Sequence, residues 1–142
     1  MSLPNENNAN HMLSEEEMFS IATKFLISLK NGNWDLMRSV LSENVIWLFP
    51  GMSAISGAAF GVNEVIKRAQ QIKNFEVVFQ LNHILYGFNS VELLLHNIGV
   101  RGNLVLDEHS AIHCELKDCK IEMLVTHLSD IESNNVFFIN GV

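Results

Sequence analysis

Basic residues are scarce in this chain. Nine Lys and Arg stand against 16 Asp and Glu, for a net charge of −7, and the only adjacent pair of bases is Lys67-Arg68. A nucleic-acid surface needs clustered Lys and Arg to displace the counterions around phosphates, so scattered single bases argue against that partner. They read as solvated surface charge. Cysteine is scarcer still. Cys114 and Cys119 are too few for a disulfide framework or a complete zinc site, and they read as free thiols of a reducing compartment. No apolar run approaches the ~18 residues that cross a bilayer. The chain starts with an Asn-rich stretch that has neither a basic region nor an apolar core, so residues 1–13 are expected to be a disordered leader and the cytoplasm the default location. The glycine-punctuated segment 51–61 lacks both the G-x-G-x-x-G spacing and a Lys in Walker position, which leaves no phosphate cradle.

What remains is one domain over residues 14–142, with 48% hydrophobic residues among 142 in all, enough for a core without metal or disulfide staples. Ser14-Glu15-Glu16-Glu17 is a capping box, in which the Ser hydroxyl accepts a free helix N–H and the Glu reaches back. Met18, Ile21, Ala22, Phe25, Leu26 and Leu29 then recur at helical spacing, and Asn31-Gly32 ends the helix. A short second helix follows Trp34. Val45-Ile46-Trp47-Leu48-Phe49 is a buried strand stopped by Pro50-Gly51. A third helix is predicted over 62–73 and a long strand over 75–86, followed by three more strands joined by tight turns. Helices gathered ahead of sequential strands predict an α+β fold with an antiparallel sheet.

The last three strands have two unlike faces. A two-residue turn at Asp118-Cys119 pairs Leu116 with Ile121, Cys114 with Met123 and Ile112 with Val125. On the other face it sets His113 against Leu124, Ala111 against Thr126, His109 against Leu128 and Asp107 against Asp130. The Gly102-Asn103 turn places Leu94 opposite Ala111, His96 opposite His109 and Ile98 opposite Asp107. A slip of one residue would reverse the faces. On this register the apolar set Ile112, Cys114, Leu116, Ile121, Met123 and Val125 is expected to face away from the helices and to meet a second copy of the chain, or else a C-terminal tail folded over it. The polar set is expected under the helices. There His96 and His109 would lie close enough to move protons, Asp107 would orient an imidazole, and Asp130 would face Asp107. The bland reading of the same residues is a wet sheet end. Two histidines and Asp107 would supply three metal ligands, but their spacing matches no zinc motif, and no metal is expected.

The chain resembles the SnoaL-like branch of the nuclear transport factor 2-like superfamily. The resemblance rests on the break at Gly32-Asn33-Trp34-Asp35, on Glu43-Asn44-Val45-Ile46-Trp47, on Phe49-Pro50-Gly51, and on Ile55-Ser56-Gly57 with Gly61. It continues through Asp118-Cys119-Lys120-Ile121 and Thr126-His127-Leu128-Ser129-Asp130. It implies a strongly curved antiparallel sheet wrapped as a cone around three N-terminal helices, an apolar pocket, a homodimer through the outer sheet face, and no organic cofactor. The steroid isomerases of that superfamily carry a Tyr and two Asp where this chain has Phe25, Phe49 and Ala111, so their proton shuttle is not inherited. The acidic residue common to cyclases and epoxide hydrolases falls on Thr126. Three readings follow: a carrier of a hydrophobic small molecule, a cofactor-independent acid–base enzyme using His96, His109 and Asp107, or a dimerisation module without a usable pocket. The expected pocket is lined by Phe25, Trp47, Phe49, Leu94, Ala111, His113, Leu124, Thr126, Leu128 and Asp130.

Overall fold

A computed structural model describes residues 12–139, and among these described residues there are four helices and six strands. Helix α1 (Glu15–Asn31) starts on the expected capping box: the Glu17 N–H donates to Ser14 Oγ at 3.1 Å and the Ser14 N–H to Glu17 Oε1 at 2.9 Å. It ends on Gly32, whose φ of 71° is the left-handed cap conformation that glycine takes without a Cβ clash. Its stripe from Met18 to Leu29 is buried. Each large side chain there contributes about 1.5–3 kcal/mol of burial. A short helix α2 (Trp34–Val40) follows, then strand β1 (Leu41–Phe49), strand β2 (Gly57–Phe60) and helix α3 (Val62–Asn74).

The rest is mostly sheet. Strands β3 (Val78–Gly87), β4 (Ser90–Arg101), β5 (Leu104–Lys117) and β6 (Lys120–Leu128) run as a meander, and helix α4 (Ile131–Phe137) closes the described chain. The strand order is β2-β1-β6-β5-β4-β3. The sheet is not wholly antiparallel, because β1 lies parallel to β6. Strand β2 comes from the segment expected to be loop; it pairs antiparallel with the end of β1. Among the described residues no helix is long and apolar enough to cross a membrane. Of the expected leader, residues 1–11 lie outside the described residues. Leu13 is buried, and its N–H donates to Asn89 Oδ1 at 2.7 Å.

The register between β4 and β5 is the expected one, with Leu94 opposite Ala111, His96 opposite His109 and Ile98 opposite Asp107. The final hairpin begins as expected too. Asp118 and Cys119 both take positive φ, 53° and 63°, and Leu116 pairs with Ile121. A bulge then intervenes, so that Glu115 pairs with Met123, Cys114 with Leu124 and Ile112 with Thr126. One extra residue in β6 reverses the parity of everything beyond it.

Which face meets the helices is also the reverse of the expectation for β5. Ile112, Cys114, Leu116 and Ile121 are buried beneath the helices, so they cannot form a subunit contact. Met123 and Val125 do lie on the outer face, half-buried. The cause is elementary. Helices α1 and α3 present apolar stripes, and the strand face that removes most apolar area from water against them is the one without His or Asp. Leu106, Ile112, Cys114 and Leu116 form that face, so His109 and His113 turn outward.

Candidate functional site

Inside the cone the side chains do not close completely. A cavity of about 30 Å³ lies between the helices and the inner sheet face. Its apolar wall includes Leu29 from α1, Trp47 and Phe49 from β1, Ile72 from α3, Leu95 from β4, Ile112 from β5 and Phe138 after α4. Its polar lining is Asn97, Glu108, Ser110, Thr126 and Asn134. A space of that size holds one or two waters or a few heavy atoms of a ligand.

The polar lining falls into two groups. Thr126 belongs to the wall: its Oγ1 accepts the Trp47 indole N–H at 2.8 Å and so fixes the indole plane. Phe25 packs edge-on against that indole at 5.8 Å between centroids. Arg68 braces it from the far side, donating to the Trp47 carbonyl at 2.9 Å with its guanidinium 5.6 Å from the ring centroid. The second group is the one with unmet hydrogen-bonding capacity. Asn97 and Glu108 are directly opposed across β4 and β5, and Asn134 reaches them from α4, its Nδ2 donating to Glu108 Oε2 at 2.7 Å. Asn97 Nδ2 donates to Ser110 Oγ at 2.8 Å. Glu108 Oε1, Asn97 Oδ1 and Asn134 Oδ1 are buried and have no hydrogen-bond partner within the protein.

Glu108 is 2% exposed. Burial pushes its carboxyl above the usual range; the Asn134 amide pulls it back, the charge of Asp130 adds to the rise, and Asn97 again opposes it. Among the described residues no Lys, Arg or His pairs with it: Arg68 is committed to the Trp47 and Ser56 carbonyls and Arg101 to the Phe137 carbonyl. Burial without a paired cation disfavours the charged form, which is the cause of that rise.

The expected site residues are divided by the sheet. Trp47, Phe49, Thr126 and Leu128 line the cavity. Phe25 and Leu124 are fully buried behind it. Leu94, Ala111 and His113 are on the outer face, where His113 lies near Glu92 and Glu115 at 3.5 and 3.3 Å. Asp130 is exposed and serves as the N-cap of α4, taking the Ser133 N–H and hydroxyl, which lowers its pKa. The expected catalytic group does assemble, but outside. His96 Nε2 is 2.5 Å from Asp107 Oδ1, and the His96 and His109 rings stack at 4.6 Å. Every histidine among the described residues (His83, His96, His109, His113 and His127) is on strands of this meander, and His83, His109 and His127 border an open outer cleft of about 380 Å³. No three His, Cys, Asp or Glu side chains among the described residues are grouped to hold a metal.

Sequence reasoning missed Glu108, Asn97 and Asn134. The signal for Glu108 was present: it alternates with Leu106, Ser110 and Ile112, so a carboxylate sits within the more apolar of the two faces of β5.

No protein-family model matches the chain, and no curated protein does. Solved structures do. Bal32a, from a soil-derived mobile gene cassette, superposes with a TM-score of 0.81 at 20% identity, over 87% of this chain and 97% of that one. An NTF2-like protein from Burkholderia xenovorans LB400 gives 0.78 at 15% identity, over 88% and 98%. A SnoaL-like, polyketide cyclase-like protein from Jannaschia sp. CCS1 gives 0.73 at 11% identity, over 90% and 95%. The fold is therefore the NTF2-like cone expected from the sequence, and it extends over nearly the full length of these neighbours.

Proposed function

We propose that this protein is a small-molecule-binding domain whose ligand enters the cone and meets Glu108. One observation carries the reading. A carboxyl withdrawn from water keeps one oxygen without a partner, at a cavity otherwise walled by Trp47, Phe49 and aliphatic side chains. Burying such a group is costly unless something hydrogen-bonds to it, which favours a site kept for a ligand over a packing accident. Its NTF2-like fold, a cone around an interior space, is in keeping with the reading but does not carry it.

The cavity is far below the roughly 300–1,000 Å³ of a pocket for a drug-sized ligand. A larger hydrophobic molecule therefore has to displace part of the wall. The segment that would have to give is α4 with Phe138, tied to the rest by Asn134 Nδ2 to Glu108 Oε2 at 2.7 Å, Ala54 N–H to the Phe138 carbonyl at 2.7 Å, Met52 N–H to Asn135 Oδ1 at 2.7 Å, and Arg101 to the Phe137 carbonyl. The test is to titrate small neutral and charged organic probes while following the Trp47 indole N–H by NMR. Saturable shifts confined to cavity residues are expected. No response of that resonance to any probe would dispose of the reading.

An acid–base reaction is the second reading, and Glu108 is the better placed group for it, since it is shielded from water and its carboxyl is tuned upward. The alternative set, His96 with Asp107 and His109, supports the same chemistry only on an open face, where Asp107 is 67% exposed in its side chain. A homodimer is also proposed, through the β2-β1-β6 half of the outer face. There Phe60 is 66% and Leu48 38% exposed, beside Ile46, Met123 and Val125, an apolar patch of the kind that subunits cover. Light scattering that finds only monomer at high concentration would reject it.

A further inference from the structure

We infer that α4 is a lid over the cavity and that the carboxyl of Glu108 is its latch: the lid is seated while that carboxyl holds a proton and lifts when the proton leaves. The inference needs no ligand, so it goes beyond the binding reading without resting on it. Geometry carries it. Glu108 is 2% exposed, and its Oε1 is buried without a hydrogen-bond partner within the protein. Its Oε2 takes the Asn134 amide of α4 at 2.7 Å. Helix α4 has 7 residues, too few to persist without packing. It is seated by Phe137 over Gly99, where a Cβ would come within 2.8 Å of the ring, and by Phe138 against Phe75 at 4.8 Å between centroids. An open groove of about 410 Å³, bordered by Leu104, Val105, Ser133, Val136 and Phe137, brings solvent along the flank of the same helix. Moving α4 therefore hydrates Glu108 without breaking a strand pair.

The groups around the carboxyl set the direction. On β4, Asn97 stands opposite Glu108, and Arg101 farther along is committed to the Phe137 carbonyl and to the rings of Phe75 and Phe137. On β5, the Ser110 hydroxyl is held by Asn97, while Asp107 and His109 turn to the outer face. Strand β6 and helices α1 and α3 bring Leu128, Leu29 and Ile72 to the cavity. Helix α4 and its cap bring Asn134 and two exposed acids, Glu132 and Asp130. A carboxylate formed at Glu108 is therefore met by neither solvent nor a cation of the described residues, and Asp130 adds repulsion. The Asn97 and Asn134 amides oppose those effects, and the balance raises the pKa. The seated state thus binds a proton that the hydrated carboxyl of the open state releases, so closure is favoured at acid pH. From a Glu's ordinary pKa of ~4.3 upward, opening grows by at most about tenfold per pH unit, and it levels off once the buried carboxyl is also ionised. Asp130, lowered by the Ser133 N–H and hydroxyl, stays ionised over that range.

The experiment is native-state amide exchange on the full chain without ligand, from about pH 5 to about pH 8, each rate divided by that of an unstructured peptide at the same pH. Three amides report the lid: Asn134 and Phe138, bonded to the Asp130 and Asn134 carbonyls, and Ala54, which donates to the Phe138 carbonyl. The Leu26 amide of α1 reports opening of the whole fold. The three are expected to open more readily as pH rises, by up to about tenfold per unit, while Leu26 changes less. Glu108→Gln keeps an acceptor for Asn134 and has no proton to lose, so its lid amides are expected to show no such slope. Carbon NMR of the Glu108 carboxyl in the unaltered protein is expected to show it titrating above the ordinary range, and this stands by itself should the variant fold poorly. Lid amides with no pH dependence, a slope shared equally by Leu26, a slope that survives in Glu108→Gln, or an ordinary Glu108 titration each overturn the inference. None of these outcomes bears on ligand binding, which the Trp47 titration decides separately.

Discussion

Replacing Asn134 by Asp sets a second carboxyl against Glu108 and turns a hydrogen bond into a proton balance. The nitrogen it removes lies 2.7 Å from Glu108 Oε2. Two carboxylate charges at that spacing repel by about 6 kcal/mol at an effective dielectric constant of ~20. Keeping one proton on the pair costs less: holding it from a Glu's ordinary pKa of ~4.3 up to pH 7 takes about 4 kcal/mol, at ~1.4 kcal/mol per unit. The pair therefore retains a proton. Burial already raises Glu108 in the unaltered protein, so part of that cost is present before the substitution. The further loss at pH 7 is then at most about 4 kcal/mol, a large share of the ~5–15 kcal/mol that holds a domain together. Its sign follows from the direction of the shift. The native pair binds a proton that the unfolded chain has released, so stability is retained below the ordinary carboxylate range and lost as pH rises, by ~1.4 kcal/mol per unit. Urea unfolding of both proteins from pH 4 to pH 8 measures it. The curves are expected to converge at the acid end and to diverge toward neutrality. A deficit of equal size at both ends would mean that residue 134 does not face the Glu108 carboxyl, and the site as described would be wrong.

Thr126→Val leaves the Trp47 indole N–H buried without an acceptor and is expected to cost about 1–3 kcal/mol in chemical denaturation, whereas Thr126→Ser keeps the oxygen and costs less; equal losses would refute the role of that bond. At Gly99 a Cβ would lie 2.8 Å from Phe137 Cζ, so Gly99→Ala is expected to destabilise by about 1–3 kcal/mol and to couple with Phe137→Leu in a double-mutant cycle. Simple additivity would show that α4 does not rest on that glycine. A thiol reagent is expected to titrate Cys119 in the native protein and to spare Cys114, which is buried and pushed up to about 12 by desolvation and the charge of Glu92. Rapid reaction of both thiols would contradict the packing of β5. Finally, His96→Ala and His109→Ala are expected to leave the Trp47 response to any cavity ligand unchanged, because the sheet stands between them and the cone.

The helices, most of the strands and the tight turns were readable from local chemistry. The capping box at Ser14, the glycine stop at Gly32 and the hairpin at Asp118-Cys119 all act through neighbouring residues, and all are found. What failed was non-local. The face of β5 that turns inward is decided by what the helices bring to it, and the expectation of a subunit contact assigned the apolar set of Ile112, Cys114 and Leu116 to the wrong side. The β6 bulge after Leu116-Ile121 left a trace only in the unequal spacing of the buried residues Ile121, Leu124 and Thr126. The parallel seat of β1 beside β6 has no local signature. Strand β2 is short and glycine-flanked, and it exists because β1 offers an edge. The short helix α4 is announced only by Asp130 as a cap, and a lone Asp at a strand end signals surface charge as readily as a helix start. The candidate site suffered most, since it joins β4, β5 and α4, and only tertiary structure brings them together.

The seating of β1 against β6 also sets an order of events. During synthesis Trp47 emerges long before Leu124, its partner in the parallel pair. Until β6 is made, the growing polypeptide carries a strand rich in Val, Ile, Trp and Phe that has only β2 to pair with, and the cone has no wall on that side. Closing so long a loop is slow, and an exposed strand edge in the interval is a template for neighbouring chains. Chaperone dependence and losses to inclusion bodies should therefore track the rate at which β6 is added, more than the stability of the finished fold.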